Sequence, residues 1–463
     1  MPKVLYIGVG FAPFYHGSGI VYQQGIMEAV AGERWDVVCY PALRYDLWGR
    51  PRLKYWKRNG IRYLELLNSP NNREPYNYRS SPFGHCSNSV IEALTEKVLT
   101  EEKPDVVHII SLQMHCGSIV HLAKKRGIPV VKMITDYWEF CPLSRLYYKN
   151  QTLCEDFDEG RRCVDCIAAS RRSNIGLADK LMYSFLPPCS YSLLEYPLDR
   201  LRKIRKAIFK RNGRVNSAPT IPLTTPYAAK DYADRRKRLT EVLNSADVIQ
   251  VESKFAKDKL VKLGVRSDII RLVSTTRQYF DSIHPNGRQK PQYPIRFGYL
   301  GGINEHKGVF VLLEAFSRID QTKAQLLIFG GGDKNKLNAY RHLNIHYGGS
   351  YLFRNINKIL SQIDVGVVPS IWEEILCVAG VEFLQAGIPV LATNKGGTSE
   401  WLKDKVNGFF FNCGDSSDLS DKMNQFIQNP DLIEALHGRI TRWKPFRTHV
   451  REILDIYGEL TGK

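Results

Sequence analysis

The sequence predicts an α/β protein built from two parallel-sheet domains. Three observations carry this. At 463 residues the chain is too long for one ordinary hydrophobic core. Short β-branched runs alternate with stretches of helical length in both halves, the rhythm of βαβ units. A polar stretch with prolines, 286–294, separates the halves as an interdomain linker does.

In the first half, residues 3–9 are apolar and β-branched enough for a buried strand. Gly17, Ser18 and Gly19 follow and lead into a helix over 20–31. Further strands are expected at 36–40, 61–66, 105–110 and 129–134. One helix is expected over 89–102, and another ends at 121–126, where Gly127 stops it. The rhythm breaks from about 141 to 240, where a cysteine cluster and a basic segment with Pro219, Pro222 and Pro226 intervene. It returns with a helix at 231–245, a strand at 248–251 and a helix through Leu263. The second half opens with a strand at 295–300, a helix at 310–319, and a strand at 324–329 closed by Gly330-Gly331-Gly332. Strands at 344–347, 365–368, 389–392 and 408–411 and a last helix at 447–460 complete it. The expected domains are therefore 1–288, with an insertion at about 141–240, and 289–444. Residues 445–463 are expected to form a helix packing back on the first domain.

A content of 43% hydrophobic and 24% charged residues is that of a folded globular chain. No apolar run reaches the ~18 residues of a membrane span. Residues 1–10 lack the basic start and cleavage pattern of a signal peptide, so a cytoplasmic location is expected and the sequon Asn150-Gln151-Thr152 carries no meaning. The net charge of +18 is concentrated: residues 168–240 hold 16 Lys or Arg against 5 Asp or Glu. Within them, Leu198, Leu201, Ile204 and Ile208 fall near one helical face, with Arg202, Lys203, Arg205 and Lys206 around it. That suits a helix lying on an anionic membrane surface; a solvated basic face is the plainer reading. Nucleic acid would need aromatic platforms among the basic residues or a known module, and neither is present. Cys141, Cys154, Cys163 and Cys166 cluster, the last pair as Cys-x-x-Cys. In a reducing compartment such a set suits structural zinc better than disulfides, with reduced thiols as the alternative.

The most informative stretch is 369–390. Glu374 and Glu382 bracket seven residues between two apolar strands, with a short helix carrying Glu382. In an open α/β sheet, ligands sit at the carboxyl ends of strands, where helix N-termini point into the crevice. Amides around 376–379 offer donors to phosphate oxygens, and the carboxylates offer acceptors to sugar and ribose hydroxyls. The combination is an address for a nucleotide-sugar. The loop Gly301-Gly302-Ile303-Asn304-Glu305-His306-Lys307-Gly308 follows a buried strand and precedes a helix, so close-approaching amides and Lys307 suit phosphate. It lacks the P-loop spacing, and Gly8-x-Gly10-x-x-Pro13 is not a dinucleotide fingerprint. Gly396-Gly397-Thr398-Ser399-Glu400 reads as a tight turn into a helix. Asp156-Phe157-Asp158 reads as a loop rather than a cation site.

Together these pieces resemble the family 4 glycosyltransferases of the GT-B fold. The resemblance is carried by Leu300-Gly301 through His306-Lys307-Gly308, Leu312-Leu313-Glu314-Ala315-Phe316, Leu327-Ile328-Phe329-Gly330 and Ile363-Asp364-Val365. It continues through Pro369-Ser370, Glu374 to Glu382, Ala386-Gly387-Ile388-Pro389-Val390, Gly396-Gly397 to Glu400, and Asn407-Gly408. The first half matches more loosely, through 103–108, 127–131, 246–249 with Ser253, and Asp136-Tyr137-Trp138 with Cys141-Pro142 and the later cysteines, a variant of bacterial envelope-polysaccharide members. The resemblance implies two Rossmann-like domains facing a cleft and metal-independent transfer with retention from a UDP- or GDP-sugar. The acceptor it implies is a glycan, lipid-linked in polysaccharide synthesis. It implies that Lys307 holds the donor diphosphate and that Glu374 meets the donor sugar beside the amides of Leu376, Cys377 and Val378. Glu382 would bind the ribose, and Gly301, Gly302, Gly330, Gly331 and Tyr351 would complete the donor pocket. Gly17, Ser18 and Gly19 would be the acceptor and phosphate loop, and Asp136 joins Glu374 and Lys307 as the catalytic set.

Three departures stand out. Gly302 replaces the family's usual Arg and removes a cation from the diphosphate, Thr135 replaces a His, and Cys377 stands where a Gly is usual. His108, His115 and Arg277 are candidates to restore the lost contacts. These departures motivate a rival reading, a non-catalytic scaffold that kept the fold; a nucleotide-sugar epimerase is a further alternative, distinguished by needing no acceptor.

Overall fold

A computed structural model describes residues 1–11, 17–72, 81–149, 151–169, 225–285 and 292–463. The first sheet has eight strands: β1 (Lys3–Gly8), β2 (Asp36–Pro41), β3 (Arg52–Arg58), β4 (Ile61–Leu67), β5 (Val106–Ile109), β6 (Val130–Met133), β9 (Val248–Val251) and β10 (Ile270–Leu272). A two-stranded hairpin, β7 (Tyr147–Tyr148) and β8 (Thr152–Leu153), stands apart from it. The order in the large sheet is β10-β9-β6-β5-β1-β2-β4-β3. All its pairings are parallel except β3 with β4, which run antiparallel at the edge. The second sheet is wholly parallel. Its order is β13-β12-β11-β14-β15-β16, from β11 (Ile295–Leu300), β12 (Ala324–Phe329), β13 (Ile345–Gly349), β14 (Val365–Val368), β15 (Val390–Thr393) and β16 (Gly408–Phe411).

Central strands are apolar throughout because helices cover both faces of each sheet. Leu5 and Ile7 of β1 point into one core with Val107 and Ile109, while Val4 and Tyr6 point into another with Val106 and Tyr22. The terminal helix Phe446–Thr461 closes that second face, burying Val450, Ile453 and Tyr457 against it. Its polar groups are matched there: Tyr457 Oη donates to Tyr6 Oη at 2.8 Å, and His449 and Tyr22 share a bond of 2.9 Å.

The two sheets meet at the loop after β14. Trp372 and Ile375 join the core of the first sheet. Ser253 Oγ donates to the Ile375 carbonyl at 2.6 Å, and Lys259 and Glu373, both largely buried, pair at 2.6 Å. The helix Lys254–Lys262 is thus docked on the loop that carries Glu374.

Among the strands, the structure adds β3, β10 and the hairpin β7–β8 to those expected. Strand β3 is rich in Lys and Arg, so no alternating apolar pattern announces it; it survives because only one edge needs pairing. The hairpin β7–β8 is two residues per strand, below the length at which a periodicity is visible. The expected membrane-surface helix near 197–210 and most of the expected linker, 286–291, lie outside the described residues.

Candidate active site

A cavity of about 610 Å³ lies between the two sheets at the carboxyl ends of their strands. The expected donor residues Gly301, Gly302, Lys307, Gly330, Gly331 and Tyr351 line it. So do Glu374, Leu376, Cys377, Val378 and Glu382, and from the first domain Gly17, Ser18 and Gly19.

Lys307 ends a short turn, Glu305–Lys307, that leads through Gly308 into the helix Val309–Phe316. Gly308 has φ 70°, and a Cβ there would stand 1.7 Å from the Pro369 carbonyl oxygen. Only glycine lets the Lys307 loop lie directly on the Glu374 loop. Lys307 Nζ donates to Glu374 Oε1 at 2.6 Å, and Ser370 Oγ donates to the same oxygen at 2.7 Å. Burial works against the charge of both partners. The pairing outweighs it, holding the Glu374 carboxyl below and the Lys307 ammonium above their ordinary ranges. A fixed carboxylate and a fixed cation therefore stand side by side in the cavity.

Glu374 is followed by Leu376 and Cys377, and Cys377 caps the helix Val378–Gln385 with φ 63°. The left-handed region strains a residue with a side chain. This explains why glycine is usual at this position in the resembled family. Burial pushes the Cys377 thiol up to about 12, so it remains protonated. The backbone turn keeps the helix N-terminus open toward the cavity, where its amides and dipole favour an anion.

Glu382 lies on the same helix, 4% exposed, and accepts from Tyr279 Oη at 2.5 Å. Burial pushes its carboxyl up to about 7 against the opposing effects of Tyr279, Arg277 and Tyr351. The Tyr279 ring packs on Phe353 at 5.3 Å between centroids, and both line the cavity. An aromatic wall thus stands beside a carboxylate able to take two hydroxyl donors. Tyr279 and Glu252 were not foreseen from the sequence, since each reaches the cleft only through long-range folding.

Other expected residues do not converge there. Asp136 is one residue beyond Thr135, which lines the cavity, but its own carboxylate accepts from Gln113 Nε2 at 2.9 Å and from the Trp138 amide at 2.8 Å. Burial and the nearby Glu139 push it up to about 7. Neither His108 nor His115 is in the cavity: His108 Nδ1 is 2.6 Å from Tyr457 Oη, and His115 Nε2 is 3.2 Å from the Tyr40 carbonyl. Of the three candidate replacements, Arg277 alone lines the cleft.

The structure places the four cysteines expected as a possible zinc set near one another. Cys163 and Cys166 ride on the helix Arg161–Ala168, and the hairpin β7–β8 separates Cys141 from Cys154. The four feel one another electrostatically. Burial first, then Cys141 and Cys154, push Cys163 up to about 12 and help push Cys166 up to about 11. Yet among the described residues no three His, Cys, Asp or Glu side chains are arranged to hold a metal ion. Cys166 Sγ instead accepts from the Lys149 amide at 3.2 Å, and Cys154 Sγ donates to the Asp156 carbonyl at 3.5 Å.

Residues 282–442 match the family model described as Glycosyl transferases group 1. Over 126 residues the chain is 29% identical to the lipopolysaccharide 1,2-N-acetylglucosaminetransferase of Salmonella typhimurium, covering 24% of this chain and 33% of that one. The chain spans less than two thirds of the length of the curated relatives it matches. In fold, it is similar over its whole length to the sucrose-phosphate synthase of Thermosynechococcus elongatus, with a TM-score of 0.65, 14% identity and 100% of each chain covered. It is similar also to Anabaena HepE in complex with UDP and glucose, with a TM-score of 0.61, 12% identity and coverage of 98% and 99%. The fold is GT-B, two Rossmann-like domains facing a cleft.

Proposed function

We propose that the chain is a retaining glycosyltransferase of the family 4 type. It moves a sugar from a nucleoside diphosphate donor to a hydroxyl of a glycan, lipid-linked, in polysaccharide assembly. The observation that carries this is the pair of half-buried Lys307 and buried Glu374, set at an open helix N-terminus with Glu382 on the same helix. The family model over 282–442 and the glycan-directed relative support the same reading.

In this reading the amides at 376–379 and Lys307 hold the diphosphate and stabilise the charge that grows on it as it leaves. Glu374 holds hydroxyls of the donor sugar, and Glu382 holds the ribose diol. The bond from the anomeric carbon to the phosphate oxygen breaks, and the acceptor oxygen bonds to that carbon on the same face. The acceptor's proton passes to the departing phosphate, so no protein base is required. Closing the acceptor and the donor into one cleft supplies the proximity.

A thermal-shift screen with UDP, GDP and ADP and their sugars tests the donor half. At about 100 times its dissociation constant a true donor adds about 2.7 kcal/mol of stability. No stabilisation by any of them would remove the reading. Binding without transfer to any glycan would favour the scaffold, and an isomerised donor formed without acceptor would favour an epimerase.

No described helix is long and apolar enough to cross a membrane. We assign the membrane contact to the basic segment. The chain is expected to float with anionic but not neutral vesicles, and replacing Arg202, Lys203, Arg205 and Lys206 by Gln is expected to abolish the difference. Flotation unchanged by those replacements would make the segment a solvated surface.

A further inference from the structure

Among the described residues, two positively charged side chains line the cavity, Lys307 from the second domain and Arg277 from the first. Three carboxyls face them: Glu252, Glu374 and Glu382. Lys307 is already engaged by Glu374 at 2.6 Å. A nucleoside diphosphate entering this cavity therefore needs a further cation, and the geometry around Arg277 is suited to supply one.

Arg277 follows β10, and its side chain is 4% exposed. Its guanidinium lies over the Tyr22 ring at 4.9 Å, which fixes its plane. Nη1 donates to Thr275 Oγ1 at 3.0 Å and to the Thr276 carbonyl at 3.3 Å, and Nη2 donates to Ser18 Oγ at 3.1 Å. The buried Glu252 pairs with it as an ion pair at 3.7 Å from Nη2, longer than a direct hydrogen bond, and accepts the Thr275 hydroxyl. Nε is buried with no partner. A guanidinium presents a planar fork that matches two oxygens of a phosphate, and this fork is under-filled. Its Ser18 contact places it at the N-terminus of the helix Ser18–Gly32, the end of that helix whose dipole favours an anion.

We infer that Arg277, with Ser18 and the helix N-terminus at Gly17–Gly19, is the first-domain half of the diphosphate clamp, Lys307 being the second-domain half. The inference rests on the donor reading above and adds to it a residue 30 positions before Lys307 and outside its loop. A clamp with one cation on each domain couples donor binding to closure of the cleft. It also supplies the charge that Gly302 does not bring.

The experiment is titration calorimetry with UDP, GDP and ADP, their nucleosides, and inorganic pyrophosphate. Arg277→Gln is expected to raise the dissociation constant of the binding diphosphate about tenfold or more while leaving its nucleoside within about twofold. The double variant Glu252→Gln/Arg277→Gln, which leaves no unpaired buried charge, is expected to behave alike. A crystal structure of the unaltered chain with the bound diphosphate is expected to show the guanidinium within hydrogen-bond distance of a phosphate oxygen. Diphosphate affinity unchanged in the variants, or a guanidinium beyond hydrogen-bond distance of every phosphate oxygen in the complex, overturns the inference while Lys307→Ala still weakens binding. If the unaltered chain binds none of the three diphosphates, the donor reading itself has failed.

Discussion

Glu374→Gln is expected to lower kcat/KM for sugar transfer by about 10²- to 10³-fold while the chain stays folded. The substitution keeps the shape of the side chain and one carbonyl acceptor for Ser370. It removes the charge that holds Lys307 at 2.6 Å. Two losses follow. The donor sugar loses an ionised acceptor, and a charged acceptor is worth about twice a neutral one. Lys307 loses the partner that orients it, so its charge is less well aimed at the leaving diphosphate. The effect should fall mainly on turnover, because the interaction grows as the glycosyl bond breaks. Affinity for the nucleoside diphosphate should change less than about tenfold, since in the proposed reading the nucleoside is held by Glu382 beside Tyr279 and Phe353 rather than by Glu374. Product formation followed by chromatography, with calorimetry for the nucleotide, separates the two. Transfer within about threefold of the unaltered chain would remove Glu374 from the chemistry.

The second-domain side of the cavity was legible because its parts are local in sequence. Glu374 and Glu382 lie on one loop and helix, and the Lys307 loop spans eight residues. The strands that bear them, Ile295–Leu300, Ala324–Phe329 and Val365–Val368, have the bounds that their apolar runs predicted. Strands buried on both faces show as unbroken apolar runs. What stayed hidden depends on long-range closure. Tyr279 reaches Glu382 across 103 positions, and Arg277 reaches Ser18 across 259. Asp136, expected in the catalytic set from the resemblance, lies one residue beyond the cavity-lining Thr135, and its carboxylate bonds Gln113 and a local amide.

Glu382→Gln should separate binding from stability, with opposite signs. In the unliganded chain burial holds this carboxyl near 7. Ribose hydroxyls donate to a carboxylate, so they favour its charged form and lower that value on binding. Donor affinity should therefore rise with pH through about 7, with a proton released on binding at lower pH. The diphosphate has its own ionisation near about pH 6, so the telling quantity is the affinity ratio of the unaltered chain to the Gln variant. That ratio is expected to grow by up to about tenfold from about pH 6 to pH 8. Stability runs the other way. A carboxyl whose folded value lies above its unfolded value contributes stability below the unfolded range, and that contribution is lost as pH rises through the folded value. Its full size is about 3 kcal/mol as an upper figure, from the shift between 4.5 and about 7. Glu382→Gln removes this loss, so the variant should gain stability relative to the unaltered chain between about pH 5 and pH 8 while binding donor more weakly. Denaturant melts and calorimetry at the two pH values read both effects. An affinity ratio that is flat or falls with pH would mean that Glu382 does not hold the donor as a carboxylate. A chain that keeps a buried carboxyl at a cost in stability, and binds its ligand better when that carboxyl is ionised, is using it for the ligand rather than for the fold.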